Sequence, residues 1–173
     1  EHDHFTVGHT STSVSLACGL AKARDLKGEG GNVIAVIGDG SLSGGEALEG
    51  LDFASELHSN LIVVVNDNGM SIAENHGGIY SNLKLLRDTD GRAECNLFKA
   101  MGLGYLYVRE GNNISTLINA FQQVKDSTTP VVVHMVTEKG KGYAPAEEDR
   151  EYWHFSGPFD VKTGNPLYES DVE

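Results

Sequence analysis

Basic residues are scarce in this 173-residue sequence: 13 Lys and Arg stand against 25 Asp and Glu, a formal charge of −12 at pH 7. That balance excludes a nucleic-acid partner, because phosphate backbones are held by a basic face. Long hydrophobic runs are missing as well. The longest, such as Leu61–Val65, is five residues, against the roughly 18 that a membrane span needs, so no membrane partner is expected. There are only two cysteines, Cys18 and Cys95, and neither has CxxC or zinc spacing. They read as reduced thiols, and a cytoplasmic location is expected. A GxSxG elbow is absent, which removes the usual serine hydrolase signature. No signal or transit pattern opens the chain, and its first residue is Glu1 rather than Met. The chain is therefore expected to be processed, trimmed or part of something longer.

What is present is apolar residues enough for a core, 39% of the chain, and 21 glycines. Glycine is thus about 12% of the sequence, against about 7% on average. Turn signals punctuate an alternation of helical and strand patterns. Ser11–Asp25 carries Val14, Cys18 and Ala21 at helical spacing behind a capping Ser/Thr run. Asn32–Ile37 and Asn60–Val65 are short continuous apolar runs, and each reads as a strand buried on both faces. Between them Ser43–Leu57 returns to helical period. Asn66–Gly78 reads as a loop. Ala93–Met101 reads as a short helix, Tyr105–Val108 as a strand, the stretch from Ile114 to Val124 as an amphipathic helix and Pro130–Thr137 as a third buried strand. No long element is expected after Glu138. The fold class is α/β, a parallel sheet with helices on both faces, whose ligands sit at the carboxyl ends of the strands.

The unusual polar residues fall at those ends. Gly38-Asp39-Gly40-Ser41 follows the first strand and Asn66-Asp67-Asn68-Gly69-Met70 the second. One helix and one strand join them, so a right-handed crossover sets the two strand ends side by side. A carboxylate from Asp39 and an amide oxygen from Asn68 are hard donors, suited to magnesium or calcium. One carboxylate alone binds magnesium weakly, and magnesium commonly shares its shell with substrate phosphates. The glycines beside Asp39 admit a phosphate to the backbone, and a helix opening near Ser43 aims its positive end there. Alone, each motif is an ordinary turn; in this order, each after a buried strand, they suggest a magnesium–diphosphate site.

GDG followed about 30 residues later by Asn resembles the thiamine diphosphate-binding motif of transketolase-like enzymes. Gly8-His9-Thr10-Ser11-Thr12-Ser13, Gly38-Asp39-Gly40-Ser41, Asn66-Asp67-Asn68-Gly69-Met70-Ser71-Ile72 and Lys139-Gly140-Lys141-Gly142-Tyr143 follow one another here. In that wording the chain resembles the 1-deoxy-D-xylulose-5-phosphate synthase family, from about Phe5 to Pro166. The resemblance implies a thiamine diphosphate-binding fold with thiamine diphosphate and Mg2+ as cofactors. Asp39 and Asn68 would ligate the metal through side chains and Met70 through its backbone carbonyl. Gly40 and Ser41 would meet the diphosphate, and Gly8, His9, Thr10 and Asn68 would line the cofactor cleft. Tyr143 would lie against the cofactor with Lys139 and Lys141 beside it, and His154 would be the catalytic candidate. Among the other histidines, His134 reads as a satisfied core residue, His58 and His76 as surface, and His2 and His4 as terminus.

The implied reaction is the decarboxylating condensation of pyruvate with glyceraldehyde 3-phosphate to 1-deoxy-D-xylulose 5-phosphate, on the way to isoprenoids and thiamine. A second, pyrimidine-binding domain would supply a glutamate that this chain lacks, and a catalytic histidine would stand upstream of Glu1. Residues 1–173 are accordingly expected to be a single diphosphate- and magnesium-binding domain, incomplete at the N-terminus. It would be completed by a pyrimidine-binding domain in the same chain or a second subunit, in a homo-oligomer such as a dimer. The stretch 79–96 is shorter than the family's usual insertion. Two alternatives stay open: a subunit of a transketolase-like two-carbon transferase, and a non-catalytic relative that keeps the fold.

Overall fold

The computed structural model describes residues 3–168; His2 lies outside them. The chain divides into two compact units, residues up to Thr137 and residues from Glu138 on. The first unit holds four strands: β1 (Ile34–Gly38), β2 (Ile62–Asp67), β3 (Gly104–Val108) and β4 (Val131–Val136). They form one all-parallel sheet in the order β1-β2-β4-β3. Its helices are α1 (Ser13–Lys27), the one-turn α2 (Asp39–Leu42), α3 (Gly45–Ser55), α4 (Gly78–Asp88), the short α5 (Leu97–Ala100) and α6 (Ile114–Val124). None of the helices among the described residues is long and apolar enough to cross a membrane.

Three helices show their ends in the sequence, although the Ser/Thr run ahead of α1 makes no side-chain cap bond to it. α1 ends where Gly28 turns left-handed at φ 66° and its N–H reaches back to Arg24 and Asp25 carbonyls. Asn96 caps α5 by accepting from the Phe98 and Lys99 amides, and Asn113 caps α6 by accepting from Thr116. Two cores result, one on each sheet face. Val14, Cys18, Leu51, Leu86 and Phe98, from α1, α3, α4 and α5, pack on one face of β1, β2 and β4. Ala120 and Val124 of α6 cover Ile62, Val64 and Val133 on the other.

Two sequence expectations change. β1 is not buried on both faces: Ala35 and Ile37 are in the core, but Ile34 is 49% and Val36 61% exposed. A continuous apolar run records what both faces tolerate, not whether a helix covers them, and β1 is an edge strand of this sheet. The stretch after the NDN loop is also more ordered than read, since α4 occupies residues 78–88. Ile79, Leu83 and Leu86 sit at i, i+4, i+7, and the last two are buried.

The second unit is short-element structure, as expected: α7 (Ala144–Glu148) and a 3-10 turn at Tyr152–His154. An aromatic cluster holds it together, with Trp153 edge-on to Tyr143 at 5.2 Å and to Phe159 at 4.6 Å between ring centroids.

Candidate functional site

The parallel register pairs Gly38 with Asn66. Asp39 and Asn68 therefore emerge from neighbouring strands at the carboxyl edge of the sheet. Asp39 is 2% exposed. Its Oδ1 accepts from the Gly40 N–H at 2.9 Å, and its Oδ2 accepts from the Gly69 N–H at 2.8 Å and the Asn75 side-chain amide at 3.1 Å. No cationic side chain is among these partners. Burial, reinforced by the nearby charge of Asp67, pushes the Asp39 carboxyl up to about 6.

Asn68 Oδ1 accepts from the Met70 N–H at 3.2 Å, which folds the loop back into a tight turn. Gly69 between them has φ 79°, a left-handed backbone that glycine takes without strain. Gly40 is glycine for another reason: a Cβ there would stand 2.5 Å from Ser71 Cβ, so the NDN loop packs directly on the GDG turn. Over this turn lies a cleft of about 220 Å³ lined by Asp39, Asn75, Tyr80, Lys84 and Arg87. The Tyr80 hydroxyl donates to Ser43 Oγ at 2.7 Å.

The GHTSTS segment joins the same corner. Ser11 Oγ donates to the Ser41 carbonyl at 2.8 Å, and a Cβ on Gly44 would stand 2.6 Å from Ser11 Cβ. Ser11 itself is left-handed at φ 71°, a conformation that costs a non-glycine residue on the order of 1 kcal/mol and clusters at functional sites. Gly8, His9 and Thr10 are exposed just ahead of α1, with His9 Nδ1 2.7 Å from the Thr10 carbonyl. Five of the sequence-chosen positions, Asp39, Gly40, Ser41, Asn68 and Met70, thus lie on two turns in direct contact, with GHTSTS against the first.

Lys141, Tyr143 and His154 belong to the second unit. Lys141 pairs with Glu138 at 2.6 Å, and Lys139 Nζ is 2.9 Å from His154 Nδ1. The Tyr143 hydroxyl is buried and has no hydrogen-bond partner among the described residues.

Sequence reading missed the support behind the NDN turn. Asp67 is fully buried, and both its oxygens accept from Arg87 Nη1 of α4 at 2.6 Å. His134 of β4 reaches its Oδ2 through Nε2 at 2.8 Å, and Tyr105 OH lies 2.8 Å from the other ring nitrogen. His134 is thus a satisfied core residue, as its place in a buried strand suggests. Burial raises the Asp67 carboxyl, but the bonds from His134 and Arg87 outweigh it and hold the group below the usual carboxylate range. The signal for Arg87 was in the sequence, one residue after Leu86 on a helical stripe; no local pattern names its partner.

The donor set suits a hard cation. A buried carboxylate without a cationic partner among the described residues, an amide oxygen and a loop carbonyl are oxygen ligands of the kind magnesium takes. Among the described residues no three His, Cys, Asp or Glu side chains group to hold a metal by themselves. A metal here would have to complete its shell with backbone, water and ligand oxygens.

A family model described as 1-deoxy-D-xylulose-5-phosphate synthase matches residues 1–94 and 89–137. The chain belongs to that family. Relatives bearing the same name include one from Desulforudis audaxviator, 42% identical over 208 positions, covering 99% of this chain and 33% of the relative. Another, from Listeria monocytogenes, is 44% identical over 171 positions, covering 95% and 28%. A third, from Geobacter metallireducens, is 41% identical over 202 positions, covering 96% and 32%. The chain spans about a third of the length of the curated relatives it matches. The Desulforudis alignment is longer than this whole chain and the Listeria alignment is not.

Proposed function

We propose that this chain is the diphosphate- and magnesium-binding part of an enzyme that condenses pyruvate with glyceraldehyde 3-phosphate, with loss of carbon dioxide, to 1-deoxy-D-xylulose 5-phosphate. The observation that carries the reading is the buried Asp39 carboxylate, unmatched by any cationic side chain among its hydrogen-bond partners, beside Asn68 in a chain of this family. Asp39, Asn68 and the Met70 carbonyl hold Mg2+. Ser41 presents its backbone amide to the diphosphate, while Gly40, whose amide holds Asp39 Oδ1 at 2.9 Å, leaves the space beside it open. Gly8, His9 and Thr10 border the diphosphate. Lys141 and Tyr143 contribute to cofactor binding and His154 to donor-substrate recognition in the complete enzyme. When bound, thiamine diphosphate supplies the electron sink that lets a 2-keto acid lose its carboxyl group. The chain's own residues bind and orient: the turns hold the charged end of the cofactor in place, and Asp39 offsets the metal's charge.

A pyrimidine-binding domain, in the same polypeptide or another, completes the site, and the assembly is a homo-oligomer. The two cysteines are unpaired, Cys18 buried and Cys95 exposed, in keeping with a reducing cytoplasm.

The test uses the intact protein that carries this chain. Labelled carbon dioxide released from pyruvate, dependent on glyceraldehyde 3-phosphate and magnesium, is the expected result. Two-carbon transfer from a ketose phosphate, with no release from pyruvate, would overturn it.

A further inference from the structure

The loop Asn66-Asp67-Asn68-Gly69-Met70 holds three residues with different fates, Asp67, Asn68 and Met70. Asn68 and Met70 are the proposed metal ligands, and that reading of the two is what this inference rests on. Asp67 is turned into the protein, where the ligand set has no use for it. The Gly69 N–H lies between two carboxylates, 2.8 Å from Asp39 Oδ2 and 3.1 Å from Asp67 Oδ1. That one peptide links the strand-end carboxylate to the buried one, and it is flanked on both sides by the proposed ligands.

Asp67 is in turn held from two elements. Arg87 of α4 meets both its oxygens at 2.6 Å, and His134 of β4 meets Oδ2 at 2.8 Å. Arg87 also comes within 3.8 Å of where a Cβ on Gly69 would stand, so it closes over the turn as well as under it. Bonds to both oxygens from one side and to one oxygen from another leave the carboxylate no rotation. A fixed Asp67 Oδ1 in turn fixes the Gly69 peptide. The same contacts offset the Asp67 charge, so only Asp39 is left uncompensated for a cation.

We propose that Arg87 and His134, acting through Asp67, are positioning residues for the metal: they set the Gly69 peptide, and with it the Asn68 side chain and the Met70 carbonyl. Outer contacts of this kind commonly govern metal affinity by 10- to 100-fold.

Mn2+ is the probe, titrated into the intact protein with thiamine diphosphate, with free aqueous ion counted by electron paramagnetic resonance. Arg87→Gln is expected to weaken Mn2+ about 10-fold or more, and Arg87→Lys, which keeps the charge but not the guanidinium geometry, by a smaller factor. The spectrum of bound Mn2+ is expected to broaden in both, a change that a purely structural role would not produce. Asp39→Asn separates the two layers of the argument. If Asp39→Asn binds Mn2+ as tightly as the parent, the metal reading itself fails. If Asp39→Asn loses Mn2+ while the Arg87 variants bind within about twofold of the parent and differ only in melting temperature, the positioning role is overturned. Should Arg87→Gln not fold, Arg87→Lys decides alone: unchanged affinity and spectrum refute the proposal.

Discussion

The carboxyl ends of β1 and β2 lie side by side, and each carries a buried aspartate, yet the two are treated in opposite ways. Asp67, at the end of β2, is surrounded by Arg87 and His134 and keeps its charge. Asp39, just past β1, receives only two backbone amides and the Asn75 amide, and burial pushes it towards its neutral form. A buried carboxylate is costly unless paired. One is therefore part of the fold, and the other is the carboxylate proposed to meet a cation. A sheet end can hold both because the central strand β2 has neighbours on each side, while β1 is at the edge.

The contrast breaks most visibly at Asp67. Asp67→Ala leaves Arg87 and His134 facing a void, and removing one partner of a buried ion pair costs about 3–5 kcal/mol. Chemical denaturation should show that loss, and a chain as stable as the parent would mean the network is not structural. Asp39→Ala should act mainly on binding. It removes a costly buried charge but strands the Gly40, Gly69 and Asn75 donors, so stability at neutral pH falls by less than in Asp67→Ala, by no more than about 1–3 kcal/mol, while magnesium-dependent cofactor binding disappears from calorimetry. Unchanged cofactor affinity in that variant would remove the reason for calling the two carboxylates different.

Much of this was legible in the sequence. The continuous apolar runs marked strands, the GDG and NDN turns marked their carboxyl ends, and helix α6 matched its stripe from Ile114 to Val124. The division of labour between Asp39 and Asp67 was not legible. It depends on Arg87, 20 residues on in a helix that reading had left as shortened insertion, and on His134, 67 residues on in β4. Long-range pairing of this kind has no local spacing to announce it. The exposed face of β1 escaped for a related reason: Ile34 and Val36 are as apolar as Ile37, and only the placement of helices separates them.

The pH dependence sharpens the contrast with a smaller effect. Asp39 has its folded pKa raised from 3.8 to about 6. The metal-free fold gains from that group fully below pH 3.8 and loses the gain as pH rises through about 6, because the unfolded chain has already released its proton. Asp67 has its folded pKa lowered, so its contribution is present above the unfolded value and is lost as pH falls through the acid range. Mg2+ competes with the Asp39 proton, so its affinity should weaken as pH drops below about 6. Melting curves at pH 5 and pH 7.5, with and without Mg2+, test this. A stabilisation by Mg2+ that is equal at both values would contradict it.

The smallest change is at the far end of the Asp67 network. Tyr105→Phe deletes the hydroxyl 2.8 Å from His134 Nδ1 but keeps the ring stacked on Phe98, with centroids 5.8 Å apart. A buried ring nitrogen then lacks its partner, which costs about 1–2 kcal/mol. His134 still meets Asp67 through its other nitrogen, and Arg87 still grips both Asp67 oxygens, so the Gly69 peptide should stay where it is. The variant is therefore expected to melt a few degrees lower with cofactor and metal affinity preserved. If affinity falls along with stability, the two strand ends are coupled more tightly than their hydrogen bonds indicate. The separation between a structural carboxylate and a reserved one would then have to be redrawn as one shared cluster.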